Sequence, residues 1–141
     1  MKKRDYKEYR TTTFWREEEE NDIIFFKYSP KLVIDIDVAK EIVASRLEYC
    51  ENKPSYTLID FTNVKSVTKE ARDYMSNPDS GLKGILGGAF LSNNVVATLF
   101  VNLYLKVSNP LVPAKFFTNR DEALRWLRKI KMEAAALAER Q

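Results

Sequence analysis

The chain contains no histidine. That absence removes the imidazole base on which Ser-His and Cys-His nucleophiles depend, and with it the commonest zinc ligand. The single cysteine, Cys50, leaves no intramolecular disulfide to form. No CxxC, P-loop or GxSxG motif occurs. Glycine is scarce: the chain has 4, and they are Gly81, Gly84, Gly87 and Gly88. Their spacing is not GxGxxG, and the run precedes a strand where dinucleotide fingerprints follow one. Close packing and a bend into that strand is therefore the plainer reading, with a phosphate cradle as the alternative. No apolar run reaches the roughly 20 residues that span a bilayer, and no secretory apolar core follows the N-terminal charges. Carboxylate or lysine chemistry stays open in principle, but no catalytic pair declares itself. The expectation is a protein that is not an enzyme, uses no cofactor or metal, has no transmembrane segment and resides in the cytoplasm.

What is present suffices for one core. At 141 residues with 45% hydrophobic and 12% aromatic side chains, the chain can fold without a metal or disulfide staple. The net charge of +3 is concentrated at one end. Lys2, Lys3, Arg4, Lys7 and Arg10 stand against Asp5 and Glu8, which accounts for the whole excess. Residues 1–10 are expected to be a basic flexible arm, and residues 11–141 a single domain with a helical C-terminal extension. Such an arm can touch nucleic acid or an anionic lipid surface, or simply be solvated. The rest of the chain shows no basic patch interleaved with aromatics, so no nucleic acid is expected as a partner.

Periodicity places the elements. Residues 11–17 and 23–28 are rich in β-branched and aromatic side chains and read as a hairpin. The acids between them, Glu17 to Glu20 and Asp22, read as a solvated turn. Either Asp35 or Asp37 is placed to cap a helix carrying Ala39, Ile42, Val43, Leu47 and Cys50 inward, with Lys40, Glu41, Arg46 and Glu48 outside. Cys50 is then a buried small side chain rather than a nucleophile. Residues 56–61 read as a central strand ending near Asp60, and Asp60 is placed to cap the loop that follows. A short helix runs from Thr68 to about Ser76, and a strand covers residues 87–92. A short strand at 114–117 leads to a last helix, opened by Thr118 with Asp121 or by Asn119 with Glu122. Its inner stripe is Ala123, Trp126, Leu127, Ile130, Ala134 and Leu137, and its end is expected to overhang. Strands alternating with helices imply an α/β fold with a mixed sheet.

One stretch is unusual. In residues 94–107, Asn94, Thr98, Asn102 and Lys106 make a single polar line at steps of four, and nearly everything else is apolar. A surface helix of a small domain hides a narrower arc than this. The surplus marks Phe100, Leu103 and Tyr104 as a candidate surface for a protein partner, a second copy of the chain, or a small apolar ligand. Burial within the chain is the alternative.

From Asp60 onward the pattern also resembles a known family. A strand ending in Asp60, a small-residue strand and an Asn-led apolar helix come first. Asn109-Pro110, then Pro113-Ala114-Lys115-Phe116-Phe117-Thr118, then Glu122-Ala123 with Trp126-Leu127 follow. Together they resemble the SpoIIAA-like proteins, bacterial relatives of the STAS and CRAL-TRIO folds. The resemblance implies a mixed sheet of about five strands, with about four helices packed largely on one side. It implies a regulatory or protein-interaction role for STAS-type members, in which a residue after the central strand is phosphorylated. Thr62 occupies that place here, although no glycine follows it, and Asp60, Thr62 and Ser66 become candidates for a regulatory loop. For the lipid-carrier branch it implies an apolar ligand under a helix.

Overall fold

The computed structural model describes residues 2–92 and 112–140. Its elements run β1 (Lys3–Glu8), β2 (Thr12–Glu17), β3 (Glu20–Tyr28), β4 (Leu32–Ile34), α1 (Ile36–Tyr49), β5 (Ser55–Asp60), β6 (Val64–Val67), α2 (Lys69–Met75), β7 (Ile85–Leu91), β8 (Ala114–Phe117) and α3 (Arg120–Glu139). Six strands form one sheet in the order β1-β2-β3-β5-β7-β8, and β4 pairs with β6 in a small second sheet. The first three strands are antiparallel neighbours; β3, β5, β7 and β8 are parallel. The α/β class and the mixed sheet match the expectation from sequence. The main sheet has one strand more than the five expected, and three helices are described.

Strand alternation divides the core in two. Successive side chains on a strand point to opposite faces. On β3, Phe26 and Tyr28 therefore join Phe14, Ile59, Phe61 and Phe90 on one side, under Ala39 and Ile42 of α1 and Ala71 of α2. Ile23 and Phe25 join Tyr56, Leu58, Ala89 and Phe117 on the other, under Ala123, Leu124 and Leu127 of α3. Two of the three described helices thus share one face. The central strand β5 is buried from Ser55 to Ile59 because both faces are covered, as parallel strands usually are.

The caps follow the predicted chemistry. Val38 N–H donates to Asp35 Oδ1 at 2.9 Å, so Asp35 rather than Asp37 caps α1. Thr68 Oγ1 accepts from Ala71 N–H at 3.2 Å at the start of α2. Asn119 Oδ1 accepts from Glu122 N–H at 3.1 Å, which selects Asn119 over Thr118 as the cap of α3. Gly87 keeps the sheet low beneath α3: a Cβ there would stand 2.6 Å from Ile130 Cδ1. Cys50 is buried beside Ser55, as expected of a small core side chain.

Four expectations need correction. Residues 3–8 are not an unpaired arm; they are the edge strand β1, held to β2 in a register running from Lys3↔Glu17 to Glu8↔Thr13. Its charges, its register shift and the positive φ of Asp5 (54°) are devices that keep an edge from pairing with another chain. The acidic turn is not simply solvated. Glu17 pairs with Arg120, Glu20 with Arg128 and Asp22 with Lys131, leaving Glu18 and Glu19 as the exposed turn. Arg46 does not lie outside α1; it is 3% exposed. The stripe of α3 holds Leu124 and stops near Ile130, for Leu137 is 59% exposed.

Magnitudes decide what fixes α3. Burying a leucine contributes about 1.5–3 kcal/mol, whereas an exposed ion pair contributes about 0.2–1 kcal/mol. Leu124 and Leu127 therefore outweigh the exposed Lys131–Asp22 pair, whereas the buried carboxylate of Glu17 makes its pair with Arg120 costly to break from one side. Beyond Lys131 every described residue of α3 is exposed, so the helix does overhang.

Candidate functional site

The loop after β5 sits at the carboxyl end of the parallel strands, where open α/β sheets usually present their working residues. Short hydrogen bonds define it. Thr62 N–H donates to Asp60 Oδ1 at 3.0 Å, a turn in which the carboxylate mimics a backbone carbonyl. Phe61 points into the core and its N–H reaches Leu91 O at 2.8 Å, tying the loop to β7. Asn63 Nδ2 donates to Tyr28 O at 3.0 Å, tying it to β3. Thr62 is thereby held half-buried between two anchored neighbours.

Asp60 and Thr62 are brought together as the sequence suggested, with Asp60 capping the loop. Ser66 stands apart on β6, where Val33↔Ser66 is a cross-strand pair. Phe100, Leu103 and Tyr104 lie outside the described residues.

A second feature was not anticipated. Between the sheet and the α1/α2 layer lies a cavity of about 60 Å³. Phe26, Ile59 and Phe90 form its floor, Ile42 and Val43 of α1 one wall, and Met75 of α2 another. Its polar lining is unusual for so apolar a space. Arg46 and Arg72 both contribute, and no acidic side chain is among its described lining residues. Arg46 is fixed by its Nη2, which donates to Gly81 O at 3.1 Å and Lys83 O at 2.8 Å. The turn that carries these carbonyls includes Gly84 at φ 76°, a conformation that glycine adopts without strain.

The signal for Arg46 was available. It falls seven residues after Ala39, at the fourth position of the stripe Ala39, Ile42, Val43, Arg46, but charge alone had assigned it outward. Arg72 carried no comparable signal, because its position depends on how α2 lies against α1. Among the described residues, no group of three or more cysteine, aspartate or glutamate side chains is arranged to hold a metal. No described helix is long and apolar enough to cross a membrane.

The arrangement defines a class. A mixed sheet with its parallel half flanked by helices, and a capped loop after the central strand, is a SpoIIAA-like fold. It is similar to the crystal structure of an uncharacterized DUF3478-family protein with a SpoIIAA-like fold from Shewanella loihica PV-4. The TM-score is 0.59 at 17% identity, covering 86% of this chain and 97% of that one. At that identity the likeness speaks for the fold alone. Residues 14–131 match the model of the DUF7793 family, described as a domain of unknown function, and the chain belongs to that family. Among curated proteins none matches.

Proposed function

We propose that the chain is a non-catalytic regulatory or protein-interaction module of the STAS-like kind, acting in the cytoplasm on a protein partner, with a second copy of itself the first partner to test. The observation that carries this reading is the anchored Asp60–Thr62 turn, held half-buried at the carboxyl ends of the parallel strands of a SpoIIAA-like fold. The surplus of apolar side chains in residues 94–107, with Phe100, Leu103 and Tyr104 at its centre, supports a contact surface on sequence grounds. Within this reading Thr62 is the regulatory position and Asp60 holds its backbone, while Ser66 stands apart on β6.

Light scattering after size exclusion tests it, using the full chain across a wide concentration range beside Phe100→Glu and Thr62→Glu. Association that Phe100→Glu abolishes, and that Thr62→Glu weakens, is expected. A wild-type chain that stays monomeric and retains no protein in a pulldown contradicts the reading.

The cavity under α1 and α2 favours a second reading, a binder of a small apolar ligand. Native mass spectrometry of the purified chain tests it, and an added ligand mass is the expected result.

A further inference from the structure

We infer that the end of α3, residues 132–140, is a self-pairing surface on which the same segment of a second copy of the chain lies antiparallel. The contact is separate from the one proposed for residues 94–107, and failure of either leaves the other standing.

The first ground is an apolar stripe that outruns its cover. Leu127, Ile130, Ala134 and Leu137 recur at the alternating steps of three and four that mark the seam between two paired helices. The first half of the stripe is docked: Leu127 is fully buried and Ile130 packs against the cluster beneath α3. The second half is not. Every described residue after Lys131 is exposed, Leu137 among them. The helix runs on to Glu139, so it carries its seam about 12 Å beyond Lys131. A helix gains most of its stability in proteins from packing, and a like seam from another chain supplies it.

The second ground is charge, which selects both the partner and its direction. Glu133 and Arg140 stand two helical turns apart on one flank of the stripe, beside Leu137. Neither enters an ion pair among the described residues. When two identical helices pair antiparallel, like flanks meet in opposite directions. Glu133 of each copy then faces Arg140 of the other, twice over by the two-fold symmetry. A parallel pair would set this flank against the one that carries Lys131 and Ala138, and no Glu133–Arg140 pair would form.

The third ground is register. Setting Ala134 opposite Leu137, as an antiparallel seam does, puts Met132 opposite Glu139. The paired length is then the exposed length, and pairing stops on both sides where burial within each chain begins. So short a pair buries far less than the roughly 1,200 Å² of a stable interface, so the dimer is weak, forming above roughly 100 µM and escaping size exclusion.

The experiment follows the amide resonances of the full chain on dilution over about a hundred-fold range from roughly 1 mM. Concentration-dependent shifts at residues 132–140 are expected. Leu137→Glu should remove them, and Phe100→Glu should leave them unchanged, which separates this contact from the other. Glu133→Arg and Arg140→Glu lie at exposed positions and each sets like charges face to face, so each should weaken pairing about ten-fold. An equimolar mixture of these two variants should restore it, because every arginine again meets a glutamate.

No concentration dependence at residues 132–140 in the wild-type chain would overturn the inference, and so would shifts there that vanish with Phe100→Glu. Charge variants that pair as the wild type does, or a mixture no stronger than its components, would overturn the antiparallel register.

Discussion

The two faces of the sheet are built on different principles. Beneath α3 the side chains close on one another: Ile23, Phe25, Ala123, Leu124 and Leu127 are each at most 2% exposed. Three ion pairs between helix and hairpin then fasten the edge. Beneath α1 and α2 the packing is also aromatic, with Phe14 set against Tyr9, Phe26 and Tyr49, but it stops short of closure. It leaves a cavity lined by two arginines next to the regulatory-loop candidate. A domain of this size has only a few kcal/mol of stability in reserve. A face that leaves a cavity and an unmet donor does so at a cost, so the contrast places the closer packing beneath α3.

The largest effect should come from opening the closed face. Phe25→Ala removes a ring that is 0% exposed, stacks on Trp15 and lies under the Arg120 guanidinium. It should cost about 3–5 kcal/mol in denaturant unfolding. Next comes the ion pair at Glu17, which is 3% exposed and also accepts from Trp15 Nε1 at 3.2 Å. Arg120→Ala leaves that carboxylate buried without its cation and should cost about 2–3 kcal/mol. Glu17→Ala releases an arginine that can reach water and should cost about 1–2 kcal/mol. If the two variants cost the same, the pair is acting as a solvent-exposed bridge and the fastening role is wrong.

On the other face the sign should reverse. Arg72→Met removes a buried donor that has no described partner while keeping the apolar stem, and should raise stability by about 1 kcal/mol, as read from the urea midpoint. A loss of the same size would show that Arg72 is there for the fold. The smallest effect is one of pH. Burial is the largest influence on Tyr49 and raises its pKa from the ordinary 10.0, and its hydroxyl donates to Asp5 O at 2.6 Å. The folded chain therefore holds this proton more tightly than the unfolded one. The associated stability is complete below pH 10.0 and declines as the pH rises from there through the folded-state value. Tyr49→Phe should flatten that alkaline decline in pH-dependent unfolding.

What the sequence made legible was local. Asp35, Thr68 and Asn119 each sit one residue before a helix and cap it, and the apolar spacing of α1 and the start of α3 announced which sides turn inward. The loop after β5 was legible too, because an aspartate at a strand end takes a short list of roles. What escaped was set by partners far along the chain. The acids of the hairpin turn look solvated until α3 returns more than a hundred residues later with Arg120 and Arg128. A basic run looks like a tail until a neighbouring strand pairs with it, as β2 does with β1. Arg46 reads as surface by its charge, and only the carbonyls of Gly81 and Lys83 make its burial possible. Short strands such as β4 and β6, at three and four residues, carry too few side chains to show a period.

The contrast between the faces is tested most directly by pressurising the full chain with xenon, which enters dry apolar cavities, and following side-chain methyl resonances. Shifts that saturate at Ile42, Val43, Ile59 and Met75, with Ile23, Leu124 and Leu127 unmoved, are the predicted result. Equal shifts on both faces, or none beneath α1 and α2, would contradict the division of the molecule into a closed face and a face with a cavity.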